Sequence, residues 1–528
     1  MSICTSNLTS GFIDLATYDE LEKYMYGGPD ATAYFVRETR KATWFTQVPT
    51  VLSRASGTPD YGQTWSVSIS RAGDYLLNTW LRVLVPQITN SGAPGVSVDN
   101  APTASQIGWC QNLAHNLVSE CCITFNDLVA ARFDSLHLDF WSAFTVPASK
   151  QVGYNNMIGN VAAMTQPNTY PASVQQALGG NLFTGSGLNQ QTIGPNGGFF
   201  LNLPLPFFYA RDSGVALPTA ALPYNDMRIT FTFRPLATLL TRYQNAGVAT
   251  GAPAIGAAAN ASASTISTPA LSQQCQGVSL QTVQVWAEYA IVSNDERKRM
   301  ACAPRDILIE QVQSAPLQTF VPQQNNSPNY DIRFSHAIKV LFFAMVNNTN
   351  QHAARSCYGT DCPSTGNIAA GLANVTFSSN NNVDPILNTS LIYENTARLA
   401  TMGSDYYSLV DPYYHGPVIP AIVGLHMYSY SLDFICLDPL GSTNYGKLTN
   451  VSMVPVGAAR AAAVAQAGNI AAVGAGTTAQ ILGLITQSAV GGIGAVFLNN
   501  NQTWSFVVTA VNNNIIRISG GALGFPVL

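Results

Sequence analysis

The chain reads as an all-β protein of two domains, and three observations carry that reading. Its informative segments alternate apolar and polar residues with period two, as half-buried strands require. The stretches between them are rich in Gly, Pro and Asn, while helical patterns are short and few. The length of 528 residues exceeds the roughly 250 to 300 at which one core stops growing, so two domains are expected.

Taken in order, the first element is a helix. Thr17 and Glu20 have capping-box spacing, and Leu15, Tyr18, Leu21 and Met25 recur at near-helical intervals before Gly27 and Gly28. Strands are expected at Thr64 to Ser70 (TWSVSIS), Arg228 to Arg234 (RITFTFR) and Tyr428 to Phe434 (YSYSLDF), each with large apolar side chains on one face. A second helix is predicted around Asp134 to Phe144, where Leu136, Phe140 and Phe144 share one stripe. A third, SNDERKRMA from Ser293, carries a capping-box pair at Ser293 and Glu296 and precedes Pro304. It lies between the strand-like QTVQVWAEYAIV and ILIEQVQ. This charged helix is expected in solvent, at a domain boundary that few core contacts cross.

Two low-complexity stretches, residues 246–270 and 457–480, are dominated by small residues and read as long loops. Within the charge-free run Ala461 to Ile516, Ile481 to Leu498 approaches the length of a membrane span. Its four glycines, Gln487 and flanks without Lys or Arg favour a buried loop and strand instead.

Charged residues make up 10% of the chain, against about 25% in an ordinary soluble protein. Such a surface must be neutral and polar, or be buried against other chains, where charge is depleted. With a formal net charge of −4 and no basic tail, direct nucleic-acid contact is not expected. The first residues lack the basic and apolar regions of a secretory signal. Nine Cys, an odd number scattered from Cys4 to Cys436, do not form a disulfide framework and read as reduced, mostly buried thiols.

Motifs that could carry chemistry each have a plainer reading. Gly441 to Lys447 (GSTNYGK) fits the outline of a phosphate-binding loop, but Leu448 stands where a hydroxyl should bind Mg²⁺ and strand-like KLTNVSMVPV follows. His352, Cys357 and Cys362 lack a cysteine knuckle and a fourth ligand. His415 follows Asp411 by four residues, and His426 falls in an expected strand, which is weak evidence for base catalysis. Asp433 and Asp438 read as turn caps. Tyr406, Tyr407, Tyr413 and Tyr414 suit a sugar platform, although aromatic residues in β proteins mostly fill cores and interfaces. No catalytic, cofactor-binding or metal-ligating residue is assigned, and no cofactor. A β-sandwich glycan-binding protein or glycosidase is the alternative the tyrosines leave open.

Longer words decide between these readings. SGFIDLATYDELEKYMYGG, RAGDYLLNTWLRV, FNDLVAARFDSLHLDFWSAFTVPASK, GYNNMIGN and RDSGVALPTAALPYNDMRITF in the first half resemble blocks of iridovirus major capsid proteins. RDILIEQVQSAP, RFSHAIKVLFF, LIYENTARL, DYYSLVDPYYHGP, GSTNYGKLTNVS and IIRISGGALGFP continue the resemblance in order through the second. It implies a double jelly roll: an N-terminal arm with a short helix over 1–30, a first jelly roll over 31–292, a charged linker over 293–305 and a second jelly roll over 306–528. It also implies a structural protein rather than an enzyme, forming homotrimers of pseudo-hexameric outline that tile an icosahedral shell through trimer–trimer contacts. Further implied partners are minor capsid proteins and an internal viral membrane reached by the N-terminal arm, with assembly in the host cytoplasm. The two Ala/Gly-rich stretches look like expansions, and the interface residues are left unassigned.

Overall fold

The computed structural model describes residues 3–86, 88–91, 106–161, 164, 190–193, 198–245, 261–264, 279–302, 304–322, 328–348, 356, 358–359, 384–458, 461–462 and 503–525. They fall in two compact units, Met1–Trp44 and Phe45–Leu528.

The smaller unit carries two helices rather than the expected one, α1 (Ile3–Ala16) and α2 (Glu20–Met25). The capping box is also displaced from Thr17 and Glu20. Asp19 is the N-cap of α2 and exchanges bonds with Glu22, while Thr17 donates its hydroxyl to the Asp14 carbonyl at the end of α1, at 2.6 Å. Aspartate is the stronger N-cap, and Thr17 is occupied with an orphan carbonyl of the preceding helix. Gly27 and Gly28, at φ of +126° and +108°, then turn the chain out of α2.

The larger unit contains two β-sandwiches. The first uses β1 (Phe45–Val51), β2 (Ser53–Ser56), β3 (Thr64–Ser68), β4 (Tyr75–Val85), β5 (Val118–Phe125), β6 (Leu128–Asp134), β7 (Phe199–Pro204), β8 (Met227–Phe233) and β9 (Gln281–Val292). Its sheets have the orders β1-β9-β4-β7 and β2-β3-β8-β5-β6. The second uses β10 (Arg305–Ser314), β11 (Tyr330–Asp331), β12 (Ala337–Asn347), β13 (Ile386–Tyr393), β14 (Thr396–Gly403), β15 (Leu425–Ser429), β16 (Val451–Gly457) and β17 (Trp504–Ser519). Its sheets run β10-β17-β12-β15 and β11-β16-β13-β14. Taking β2 and β3 together, strands first, eighth, third and sixth in the chain form one sheet of each sandwich, and second, seventh, fourth and fifth the other. This is the jelly-roll order, written twice. Even a local irregularity repeats: β4 and β12 each bulge at their third residue, Leu77 and Lys339.

Alternation explains the ordinary strands. In β8 the burial of Met227, Ile229, Phe231 and Phe233 alternates with more exposed neighbours, and Trp65 of β3 stacks on Phe231 at 5.7 Å. β12 is different, because its sequence AIKVLFFAMVN is apolar almost throughout and nearly every residue is buried. Ile338, Leu341, Phe343 and Met345 face the core of their own sandwich with Phe506 and Val508. Val340, Phe342 and Ala344 face the opposite way and need a second cover. The first sandwich supplies it with α4 (Ser135–Thr145), capped where the Asp134 carboxylate accepts the His137 N–H. The predicted stripe is real: Phe140 and Phe144 are fully buried and stack on Phe342 with centroids 5.8 and 5.3 Å away.

The expectation that few core contacts cross between the halves is therefore overturned. The helix α6, named after α3 (Leu113–Leu117) and α5 (Ala148–Ile158), spans Asn294–Cys302. It exposes Asp295, Lys298 and Arg299, while Arg297 pairs with Asp74 at 2.8 Å. The cores on either side of it interlock. Ile307 and Ile309 of β10 and Ile516 and Ile518 of β17 join the first core, and Phe140 and Phe144 build a further cluster with Val340, Phe342 and Ala344 on the outer face of the second sandwich. A charged connector reports its own solvation and says nothing about the sheets it joins.

Two strand readings also change. β15 ends at Ser429, so YSYSLDF is strand only at its start. The Ser429 hydroxyl donates to the Ser431 carbonyl and Ser431 Oγ to that of Asp433, at 2.8 and 2.9 Å; such local bonds offer the backbone an alternative to the ladder. Within 246–270, Ala261–Ser264 is a strand paired with Leu240–Asn245. The remainder of that stretch, most of 457–480 and all of Ile481 to Leu498 lie outside the described residues. Among the described residues no helix is long and apolar enough to cross a membrane. Cys110 is buried, Cys121 is a buried free thiol, and Cys122 and Cys436 are free and half-buried.

The burial of Phe140 sets a stability prediction. Phe140→Ala lowers the unfolding free energy by about 3–5 kcal/mol, read by denaturant titration, whereas Tyr24→Ala, at an exposed position of α2, changes it by less than about 0.5 kcal/mol.

Candidate assembly interface

The seam between the sandwiches holds a cluster of buried charges. Glu310 of β10 receives Lys339 Nζ at 2.6 Å on one oxygen and Arg211 at 2.5 Å on the other. Lys339 is the bulged residue of β12, which aims its amine out of the ladder. There it also donates to the Cys436 carbonyl. Arg211 belongs to the first sandwich and its guanidinium lies over the Trp141 ring of α4, 3.6 Å from its centroid. One carboxylate thus ties both halves.

A second polar knot lies beside α4. The Asp139 carboxylate accepts from Asn112 Nδ2 at 3.1 Å and from the Tyr358 hydroxyl of the second sandwich at 2.7 Å, and is 2.6 Å from His115 Nδ1. Burial alone would raise its pKa, but the bonds from His115 and Tyr358 hold it below the usual carboxylate range. Gly424 allows the close approach here. Its φ is +92°, and a Cβ would meet the Tyr358 carbonyl oxygen at 2.0 Å. His137, also on α4, sits among Phe133, Trp141 and Phe342. Burial, with Arg211 nearby, pushes its pKa down to about 3.

Outside the seam, two surfaces of the same kind are uncovered. The helical segment 404–415 follows β14 as α4 follows β6, and it exposes Leu409, Val410, Tyr413 and Tyr414. The outer face of the β1-β9-β4-β7 sheet carries half-buried Trp80 and Trp286, stacked 6.2 Å apart. Trp80, Asn78 and Pro204, with Trp141 of α4 and Met157 of α5, line an open cleft of about 1010 Å³.

The residues singled out in the sequence are dispersed. Gly441–Lys447 forms a short β-bridge and a 3-10 turn (Tyr445–Lys447) ahead of β16, with no helix to cradle phosphate; Tyr445 is buried and bonded to the Tyr430 hydroxyl at 2.6 Å. His426 is buried in β15, stacked on Phe343 and 2.6 Å from Asp384. Asp411 is 4.0 Å from His415 and accepts the Ser429 N–H at 3.0 Å; burial raises its pKa to about 6. Asp433 caps a turn by accepting the Ile435 N–H, and Asp438 receives the Cys436 thiol. The four tyrosines divide, with Tyr407 in the core, Tyr406 half-buried, and Tyr413 and Tyr414 exposed edge to face, 5.1 Å apart. His352, Cys357 and Cys362 lie outside the described residues. No sequence pattern singles out the seam residues Arg211, Glu310, Lys339 and Asp139 beyond the lysine inside the apolar run AIKVLFF, which demands a buried partner.

Two jelly rolls locked together by packed cores, with apolar surfaces exposed outside the seam, are an architecture suited to a shell-building protein. Comparison with known proteins agrees. Residues 33–292 match the family described as "Major capsid protein N-terminus", and residues 296–524 match "Large eukaryotic DNA virus major capsid protein". The chain is 54% identical over 528 residues to the major capsid protein of Costelytra zealandica iridescent virus, covering 100% of both chains. It is 39% identical over 529 residues to that of Frog virus 3 (isolate Goorha), again covering 100% of both. Among solved structures, the PBCV-1 virus capsid matches with a TM-score of 0.63 at 17% identity, covering 94% of this chain and 100% of that one. The Faustovirus major capsid protein matches with a TM-score of 0.56 at 13% identity, covering 95% of each. The chain belongs to the major capsid protein family of large eukaryotic DNA viruses, on its iridovirus branch. Its role is structural, in the virion's capsid shell, which sets aside the glycosidase alternative.

Two predictions test the seam. Glu310→Gln leaves Arg211 and Lys339 short of their counter-charge and lowers stability by about 3–5 kcal/mol in denaturant titration. His137 makes the fold acid-sensitive, because below pH about 6.5 the unfolded chain binds a proton that the folded chain refuses. Stability then falls by about 1.4 kcal/mol per pH unit toward pH 3, and His137→Leu removes that share of the slope between pH 6 and pH 4.

Proposed function

We propose that three copies of this chain form a capsomer of pseudo-hexameric outline, which repeats through trimer–trimer contacts in an icosahedral shell. The observation that carries the reading is the repeated strand order: each chain supplies two like-built sandwiches, so a threefold ring presents six. The fused seam supports it, since two sandwiches locked by α4 and the Arg211–Glu310–Lys339 group offer their neighbours one rigid shape. The functional limits we assign are an arm over 1–30, a first jelly roll over 31–292, a linker over 293–305 and a second jelly roll over 306–528.

The arm is assigned to the inner side of the shell, toward minor capsid proteins and the viral membrane, with assembly in the host cytoplasm. Its unit exposes Phe12, Tyr34, Phe35 and Trp44, which fits a segment meant to be covered by a partner. The test is light scattering on the purified full chain, where a mass of three chains is expected and a stable monomer overturns the trimer.

A further inference from the structure

Each sandwich has a helix that starts directly after its fifth strand, and each has an outer sheet face. Only one of the two resulting pairings is made within the chain. In α4 the fourth residue, Leu138, enters its own core, while the sixth and tenth, Phe140 and Phe144, cover the outer face of the neighbouring sandwich at Phe342. The helical segment 404–415 repeats this numbering. Its fourth residue, Tyr407, is buried in its own core, but its sixth and tenth, Leu409 and Tyr413, are 39% and 68% exposed.

The sheet side matches as well. Phe342 is the sixth residue of β12, three past the bulge; the sixth residue of β4, three past its own bulge, is Trp80. Phe342 pairs across to Met427 of the edge strand and Trp80 to Pro204. Phe342 is fully buried beneath a helix, whereas Trp80 lines an open cleft. An uncovered helix and an uncovered face, each counterpart to one half of a contact already made, fit one another. Within the chain they do not cover one another, since Leu409 and Tyr413 are exposed and Trp80 lines a cleft.

We infer that the segment 404–415 of one copy seats Leu409 and Tyr413 on Trp80 and Trp286 of the next copy, repeating between chains the contact that α4 makes within one. This names the contact surfaces of the proposed trimer and rests on that reading. The occupant is a second copy because the complementary half of the contact is carried by this chain. Every copy gives one helix and receives one, so the interface is heterologous and must close into a ring to satisfy all copies.

The experiment uses the full chain in three forms. Tyr413→Glu, at an exposed position, and Trp80→Glu are each expected to reduce the light-scattering mass threefold, from three chains to one, with an unchanged far-ultraviolet circular dichroism spectrum. Should Trp80→Glu fail to fold, a benzophenone-bearing phenylalanine analogue at position 413 answers the same question: irradiation of the trimer should join it to β4, β7 or β9 of another copy, located by mass spectrometry. Trimers that survive Tyr413→Glu, or cross-links that map elsewhere, overturn this inference while leaving the trimer standing. A wild-type monomer overturns the trimer itself and this contact with it.

Discussion

The structure depends on the burial of both faces of the sheet containing β12. A strand reading AIKVLFFAMVN has no polar face to give to water, so the second sandwich is incomplete until Phe140 and Phe144 cover Phe342. That cover arrives from a helix placed immediately after β6 of the first sandwich. Folding of one half therefore finishes the other, and the angle between them is set by side-chain packing rather than by the exposed α6. Each buried phenylalanine removes enough apolar surface from water to stabilise the contact by about 1.5–3 kcal/mol.

The charged groups at the seam act differently. Removing Arg211, Glu310 and Lys339 from water costs several kcal/mol per ion, and their attraction offsets that only with good geometry. Their net contribution to stability is small, and their effect is on uniqueness. A sheet sliding along α4 by one residue would keep much of the apolar contact, but it would separate Glu310 from Arg211 and Asp139 from Tyr358. The apolar surfaces supply the adhesion and the polar groups select one register. This also accounts for a chain with 10% charged residues: apolar surface that an isolated sandwich would have to edge with charge is used as contact.

How much of this was legible in the sequence follows from how local each cause is. Alternation in RITFTFR and the stripe Leu136, Phe140, Phe144 are local patterns, and both elements stand where the patterns put them. The target of the stripe was invisible, because Phe342 lies about two hundred residues away and nothing in either segment names the other. The same holds for Lys339, whose place in an apolar run announces a buried partner without identifying Glu310. Local signals also mislead where two local chemistries compete, as in YSYSLDF, where serine hydroxyls take the backbone bonds that alternation assigned to a ladder. The resemblance to iridovirus capsid proteins supplied the jelly-roll topology that alternation could not, and it left the interfaces blank.

The difference between the two helices then has a physical reason. Phe140 and Phe144 meet their sheet within one chain, at the high effective concentration a tether provides, so they are covered as soon as the chain folds and bear no polar group. In the proposed contact, Leu409 and Tyr413 are covered only when another copy arrives. A phenyl surface left open for that time invites indiscriminate association, whereas tyrosine presents an apolar ring with a hydroxyl that stays hydrated until the ring is covered. Phenylalanine on the helix that closes during folding, and tyrosine on the helix that closes afterwards, would let one contact geometry serve first as a fold and then as an assembly step.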